Sequence, residues 1–240
     1  MMRRMTSWAW AFIPVLLLGL MIQECLAGVV IEQVVRDREG NASKVIMYFS
    51  ESRFRSDHPN GGLTTMIDFK EDRMVMIDHS SKHYVEVKFS QWEREVAERL
   101  KESVPGPPQK SRKIVIKKTG ETSTLNGFRA EKVQIIADGE LIEENWVTRD
   151  VALEEVEKVM DKVALGFSKQ FKTEMKESRE IYEKIKALGF PILIKDYTIA
   201  YGLGGVDVLE VKKIEKKELK DEVFLPPKGY LRVIPEPSKK

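Results

Sequence analysis

Residues 74–87, MVMIDHSSKHYVEV, hold two of the three histidines of this 240-residue chain, four positions apart, with Asp78, Ser80 and Ser81 beside them. Three chemistries are open to such a set. Zinc ligation by His79 and His83 at an i, i+4 spacing needs both on one face of a helix, with His58 from a neighbouring hairpin loop as a third ligand. Copper(I) would take the thioethers of Met74 and Met76 with one histidine, since soft sulfur suits that ion. A serine hydrolase would need Ser80 or Ser81 activated by a histidine that a carboxylate orients.

None of the three finds its supporting pattern. The stretch alternates with period two and carries no helical spacing, a Met-x-Met in a strand usually fills a core, and the chain has no Gly-x-Ser-x-Gly elbow. The plainer reading is a hairpin: MVMID and HYVEV are strands, and DHSSKH is the corner where Asp78 and Ser80 bond the turning backbone. No catalytic residue, metal ligand or cofactor is expected.

The elements that position this hairpin begin after a leader. Arg3 and Arg4 precede an apolar run from Trp8 to Ile22 that ends near the small residue Ala27. That order is a secretory signal peptide over residues 1–27, and the run is shorter than the roughly 20 residues a membrane span needs. Cys25 follows Gln23 and Glu24 rather than the small residues of a lipobox, so the cut is placed after Ala27. Beyond it no cysteine remains, which excludes disulfides and thiol chemistry. A formal charge of +2 with both signs interspersed gives no basis for binding nucleic acid. The expected location is periplasmic or secreted.

Residues 28–235 read as one domain, followed by a polar tail over 236–240. Alternation in GVVIEQVVRD, KVIMYF, SRFRSD, LTTMIDF and MVMID predicts a meander of five or six strands over residues 28–88. A short helix is expected at about 90–102, where Trp92, Val96 and Leu100 share a face. The connector at 103–111, SVPGPPQKS, interrupts the pattern. Strands resume through residue 150, with tight hairpin turns at Asn126-Gly127 and Asp138-Gly139. A long helix is expected over 152–188, with Gly166 as its kink. Strands return in FPILIKDYTIAYG and GVDVLEVKKIE. The fold class is α+β: about ten antiparallel strands and a long helical segment.

The order of these parts resembles secreted bacterial domains of unknown function related to the periplasmic lipoprotein carriers of the Lol system. The resemblance rests on the early strand pair, MVMIDHSSKHYVEV, LNGFRAEKVQIIADGELIEENWVTRD with its long helix, the two late strands and VFLPPKGY. It implies a strongly curved half-barrel with helices across its concave face, where carriers receive acyl chains. Under that implication the candidate lining of a hydrophobic cavity is Met74, Met76, Trp146, Met160, Phe167, Phe171 and Met175, because flexible methionines and phenylalanines suit an adaptable apolar surface. The same residues could instead fill a core. The expected function is non-enzymatic: binding of a lipid, an acyl chain or an acylated protein, or else a filled-core module that meets an envelope protein partner.

Overall fold

The computed structural model describes residues 27–37, 39–103, 112–170, 176–197 and 208–234. The meander comes first: β1 (Ala27–Arg36), β2 (Ala42–Ser50), β3 (Arg53–His58), β4 (Leu63–Asp68), β5 (Arg73–Asp78) and β6 (His83–Lys88). Helix α1 (Phe89–Ser103) follows, then β7 (Ile114–Leu125), β8 (Phe128–Ala137) and β9 (Glu140–Thr148). Helices α2 (Glu154–Gln170) and α3 (Lys176–Lys186) precede β10 (Phe190–Asp196), β11 (Val208–Glu218) and β12 (Leu231–Val233).

All the strands join one open, twelve-stranded sheet in the order β12-β6-β5-β4-β3-β2-β1-β11-β10-β9-β8-β7. The first strand therefore sits mid-sheet, hydrogen-bonded on one side to β2 and on the other to β11. The hairpin turns form as their sequences require. Asn126 and Gly127 have φ of 49° and 89°, and Asp138 and Gly139 have 50° and 94°. Two consecutive positive φ values match the twist of the flanking strands.

The curved open sheet and the α+β class agree with the sequence reading, and three details are corrected. The sheet has twelve strands rather than about ten. It is not wholly antiparallel, because β12 pairs in parallel with β6 after the chain crosses the sheet. The helix expected over 152–188 is two helices. The Tyr182 hydroxyl donates to Asp161 at 3.0 Å, and Lys186 Nζ reaches the same carboxylate at 3.0 Å and Glu157 at 3.5 Å. In one unbroken helix positions 161 and 182 would lie about 30 Å apart, at 1.5 Å per residue. The chain must therefore turn back between them. Helix α2 includes Gly166, and residues 171–175, like most of the connector at 103–111, lie outside the described residues.

Both faces of the sheet are covered. On one, α2 packs Leu153, Val156 and Val159 onto Val29, Ile31, Phe49, Ile192 and Val211, while Ile181 and Ile185 of α3 meet Val133, Ile135 and Ile114. On the other, the segment after β11 lays Leu219 and Phe224 over Val30, Ile46 and Tyr48. Strand alternation explains the division, since Val29 and Ile31 point one way and Val30 the other.

Candidate functional site

The opening stretch forms the predicted hairpin. Asp78 Oδ1 accepts from the Ser80 amide at 2.8 Å, the Ser80 hydroxyl at 2.6 Å and the Ser81 amide at 3.3 Å. The Ser80 and Ser81 bonds pull the Asp78 carboxyl down to about 2. Ser80 thus donates to a carboxylate, and its hydroxyl proton is not offered to a histidine.

His79 belongs to a different network. Thr64 Oγ1 donates to Asp57 at 2.6 Å, so its oxygen must accept from His79 Nε2 at 2.9 Å. In the neutral ring that leaves Nδ1 as acceptor for the Tyr230 hydroxyl, 2.9 Å away. Arg55 continues the chain, meeting Asp57 at 2.8 Å and the Val223 carbonyl at 2.6 Å. Both ends of this relay hold the C-terminal segment against the sheet. His58 bonds Ser56 at 3.0 Å instead, and His83 pairs with Leu231 across β6 and β12. Among the described residues no three His, Asp or Glu side chains converge to hold a metal.

Of the seven cavity candidates, four can be placed among the described residues: Met74, Met76, Trp146 and Met160. Met74 is 3% exposed and, with Met76, lies in a cluster with Ile67, Phe69, Phe89 and Trp92. Val75 and Ile77 point to the opposite face, into a cluster with Met66, Tyr84 and Tyr230. The cover over Met74 is therefore α1, which follows β6 directly and is anchored at its start by Asp72: the Ser90 amide and hydroxyl donate to that carboxylate at 2.8 and 2.7 Å. An acidic group there satisfies otherwise orphaned helix donors. Trp146 packs against the cluster under α2, which shares Phe54 and Phe69 with the cluster of Met74 and Met76, and Met160 on α2 is 39% exposed. Phe167 lies in α2 with its side chain outside the described set, as are Phe171 and Met175 altogether.

A wide open space lies elsewhere. A groove of about 600 Å³ lies beside the β7–β8 hairpin, lined by Thr122, Ser123, Thr124, Arg129, Arg149 and Leu188 and floored in part by the buried Ala130 and Val147. Asp150 binds the Arg129 amide at 2.7 Å and its guanidinium at 3.5 Å, and Glu131 meets Lys118 at 3.7 Å. Arg149 spends only Nε, on the Leu188 carbonyl at 3.0 Å, and faces the groove without a carboxylate partner among the described residues.

β7 is also an edge of the sheet. Its earlier part carries Lys117 and Lys118, followed by a register shift ending at Thr122 that contains Gly120 at φ 79°. Lysines and bulges of this kind discourage a further strand from pairing. The stretch Thr122–Thr124 has neither guard, and it is the part that borders the groove. This feature was missed in the sequence because its signal is a lack of lysine in a strand whose edge position the sequence does not reveal.

Adjacent glutamates on β9 show how separate the two faces are. Glu144 is held at about 2 by hydrogen bonds from Tyr197, Gln134 and Lys132, whereas burial and the Asp196 charge push Glu143 up to about 7. They point to opposite sides, so they cannot act as an acid and base on one substrate.

Residues 28–230 match the family model DUF4412, a domain of unknown function. The chain belongs to that family. No curated protein matches it. Among solved structures, PNGF-II shares 12% identity over 88% of this chain and 31% of its own, with a TM-score of 0.36. MucB, from the MucA/MucB complex of Pseudomonas aeruginosa, shares 11% over 83% and 56%, with a TM-score of 0.42. A LolA-superfamily protein from Nitrosomonas europaea shares 8% over 83% and 89%, at 0.29. The chain spans less than two thirds of the first two. The expectation of a domain family of unknown function is met, and structural scores of this size say nothing of what the DUF4412 chain does.

Proposed function

We propose that this DUF4412 domain is a non-enzymatic binding module of the bacterial envelope, exported by its leader, which receives an extended segment of a partner protein along Thr122–Thr124. The observation that carries this reading is the coincidence of the unguarded stretch of β7 with the 600 Å³ groove. An added strand would gain main-chain hydrogen bonds from the edge, and a side chain projecting from it would enter the groove. Arg149 suits an acidic one there.

A second reading, an acyl chain held between helix and sheet, is favoured by the half-buried Met76 and Trp92 at the margin of the cluster under α1. Native mass spectrometry of protein purified without detergent, with lipid extraction, separates the two. The strand-addition reading expects a lipid-free mass, together with capture of a defined envelope protein that is lost when Thr122→Lys and Thr124→Lys guard the edge. A stoichiometric co-purified lipid, or capture unchanged by those lysines, would overturn it.

A further inference from the structure

On β9, residues Glu143, Asn145 and Val147 alternate onto one face, the face on which Val133, Ile135 and Val147 pack beneath Ile185 of α3. In register, Glu143 stands opposite Ile135 of β8 and Asp196 of β10, and Asn145 stands opposite Val133 and Ile194. A register shift next to Glu143 leaves Ile142 as the extra residue, itself buried in the same cluster. Glu143 and Asn145, with Asp196 opposite Glu143, thus set polar side chains beside an apolar cluster.

Their hydrogen bonding is incomplete. Asn145 is 2% exposed; its Nδ2 donates to Glu143 Oε2 at 3.3 Å, and its Oδ1 has no partner. A buried amide oxygen left unpaired costs roughly 1–3 kcal/mol. Glu143, if ionised, adds a second burden: a partly buried charge with the Asp196 carboxylate across the strand pair. Other charged groups nearby turn elsewhere. Lys132 and Gln134 bind Glu144 on the opposite face. On α3, Lys184 reaches the Ile114 carbonyl and Glu180, Glu177 pairs with Arg112, and Lys186 pairs with Asp161 and Glu157.

One proton relieves the second burden: a neutral Glu143 no longer sets a charge against the Asp196 carboxylate opposite it, and its carbonyl oxygen still accepts from Asn145 Nδ2.

We propose that Glu143 is a proton-binding site at the β9–β10 seam, in which the neutral acid accepts from Asn145 and its ionisation sets a second carboxylate charge against Asp196 of β10. The midpoint of about 7 is in keeping with this geometry, burial being the larger cause and Asp196 the second. The sign follows from linkage. The folded chain holds the proton to higher pH than the unfolded one, so this stabilisation is complete below about pH 4.5 and is lost as pH rises through about 7.

Carbon-detected NMR of the glutamate carboxyls in the full chain tests the site without any substitution. Glu143 is expected to titrate above pH 6, with its midpoint falling in Asp196→Asn, where the facing charge is gone. Chemical unfolding from pH 5 to 8 should show the unfolding constant rising about a hundredfold in the parent, a rise that Glu143→Gln abolishes. A Glu143 midpoint below 5 would overturn the proposal. So would calcium or magnesium at pH 8 restoring stability in the parent but not in Glu143→Gln, which would make the Glu143 and Asp196 carboxylates a cation site.

Discussion

Over β1 and β2, helix α2 lays Val156 and Val159 onto Phe49, which is 1% exposed. Behind the same strands lies a segment with one short 3-10 turn, Asp221–Phe224, that lays down Phe224. The helices satisfy their own backbone, so they need only apolar contact with the sheet. The strap has little such bonding, and side chains of the sheet satisfy it instead: Arg55 binds the Val223 carbonyl, Arg53 meets Asp221 at 2.8 Å and lies 4.5 Å over the Phe224 ring, and His79 holds Tyr230. The comparison teaches that the histidine first suspected of chemistry belongs to this fastening, where a segment lacking regular structure has to be tied down by polar groups.

If the helix-bearing face is the principal core, Phe49→Ala should cost about 3–5 kcal/mol in urea unfolding, the range for emptying a tightly packed phenylalanine site. Phe224→Ala should cost less, about 2 kcal/mol, because a strap can settle into the space more readily than a helix can. Its distinguishing sign is early proteolytic cleavage after residue 218 while the rest of the chain resists. Equal losses for the two would break the contrast between the faces. Tyr230→Phe keeps the ring packed on Met66 and Ile77 and removes only its hydrogen bond to His79, so a loss of about 1 kcal/mol is expected. A change several times larger would mean that the relay through Thr64 and Asp57 acts as a unit. Thr122→Lys touches neither cover and should leave stability within about 0.5 kcal/mol, while weakening capture of a partner.

The meander was legible because short strand-length runs such as Val29–Ile31 and Val45–Phe49 are separated by turn residues, and the later hairpins because Asn-Gly and Asp-Gly name their own turns. Met74 and Val75 announced that both faces of β5 need cover. What supplies that cover was not legible, since α1 and the 3-10 strap are chosen by chain connectivity and not by composition. The parallel β12 was missed because three residues, Leu-Arg-Val, are too few to show a period. That α2 and α3 fold back on each other was hidden by apolar spacing that runs on from one to the other, whereas the tie from Asp161 to Tyr182 and Lys186 is visible only in three dimensions. Of the candidate site, Met74 and Met76 were rightly placed on one face, but the groove and Glu143 depend on which strand is an edge and which residues lie across from one another. Register is a long-range property that no local pattern carries.

The central position of β1 also bears on how the molecule is made. Its partner β11 lies nearly the whole described chain away, so one side of the first strand to emerge must wait, unpaired, until the last long strand has arrived. Contacts of such separation fold slowly and leave an apolar strand edge open in the meantime. Gly28, Val29 and Val30 stand at the start of that edge. A chain delivered amino-terminus first would therefore complete this sheet only once β11 has arrived, and a truncation before β11 should leave an aggregating fragment rather than a smaller domain.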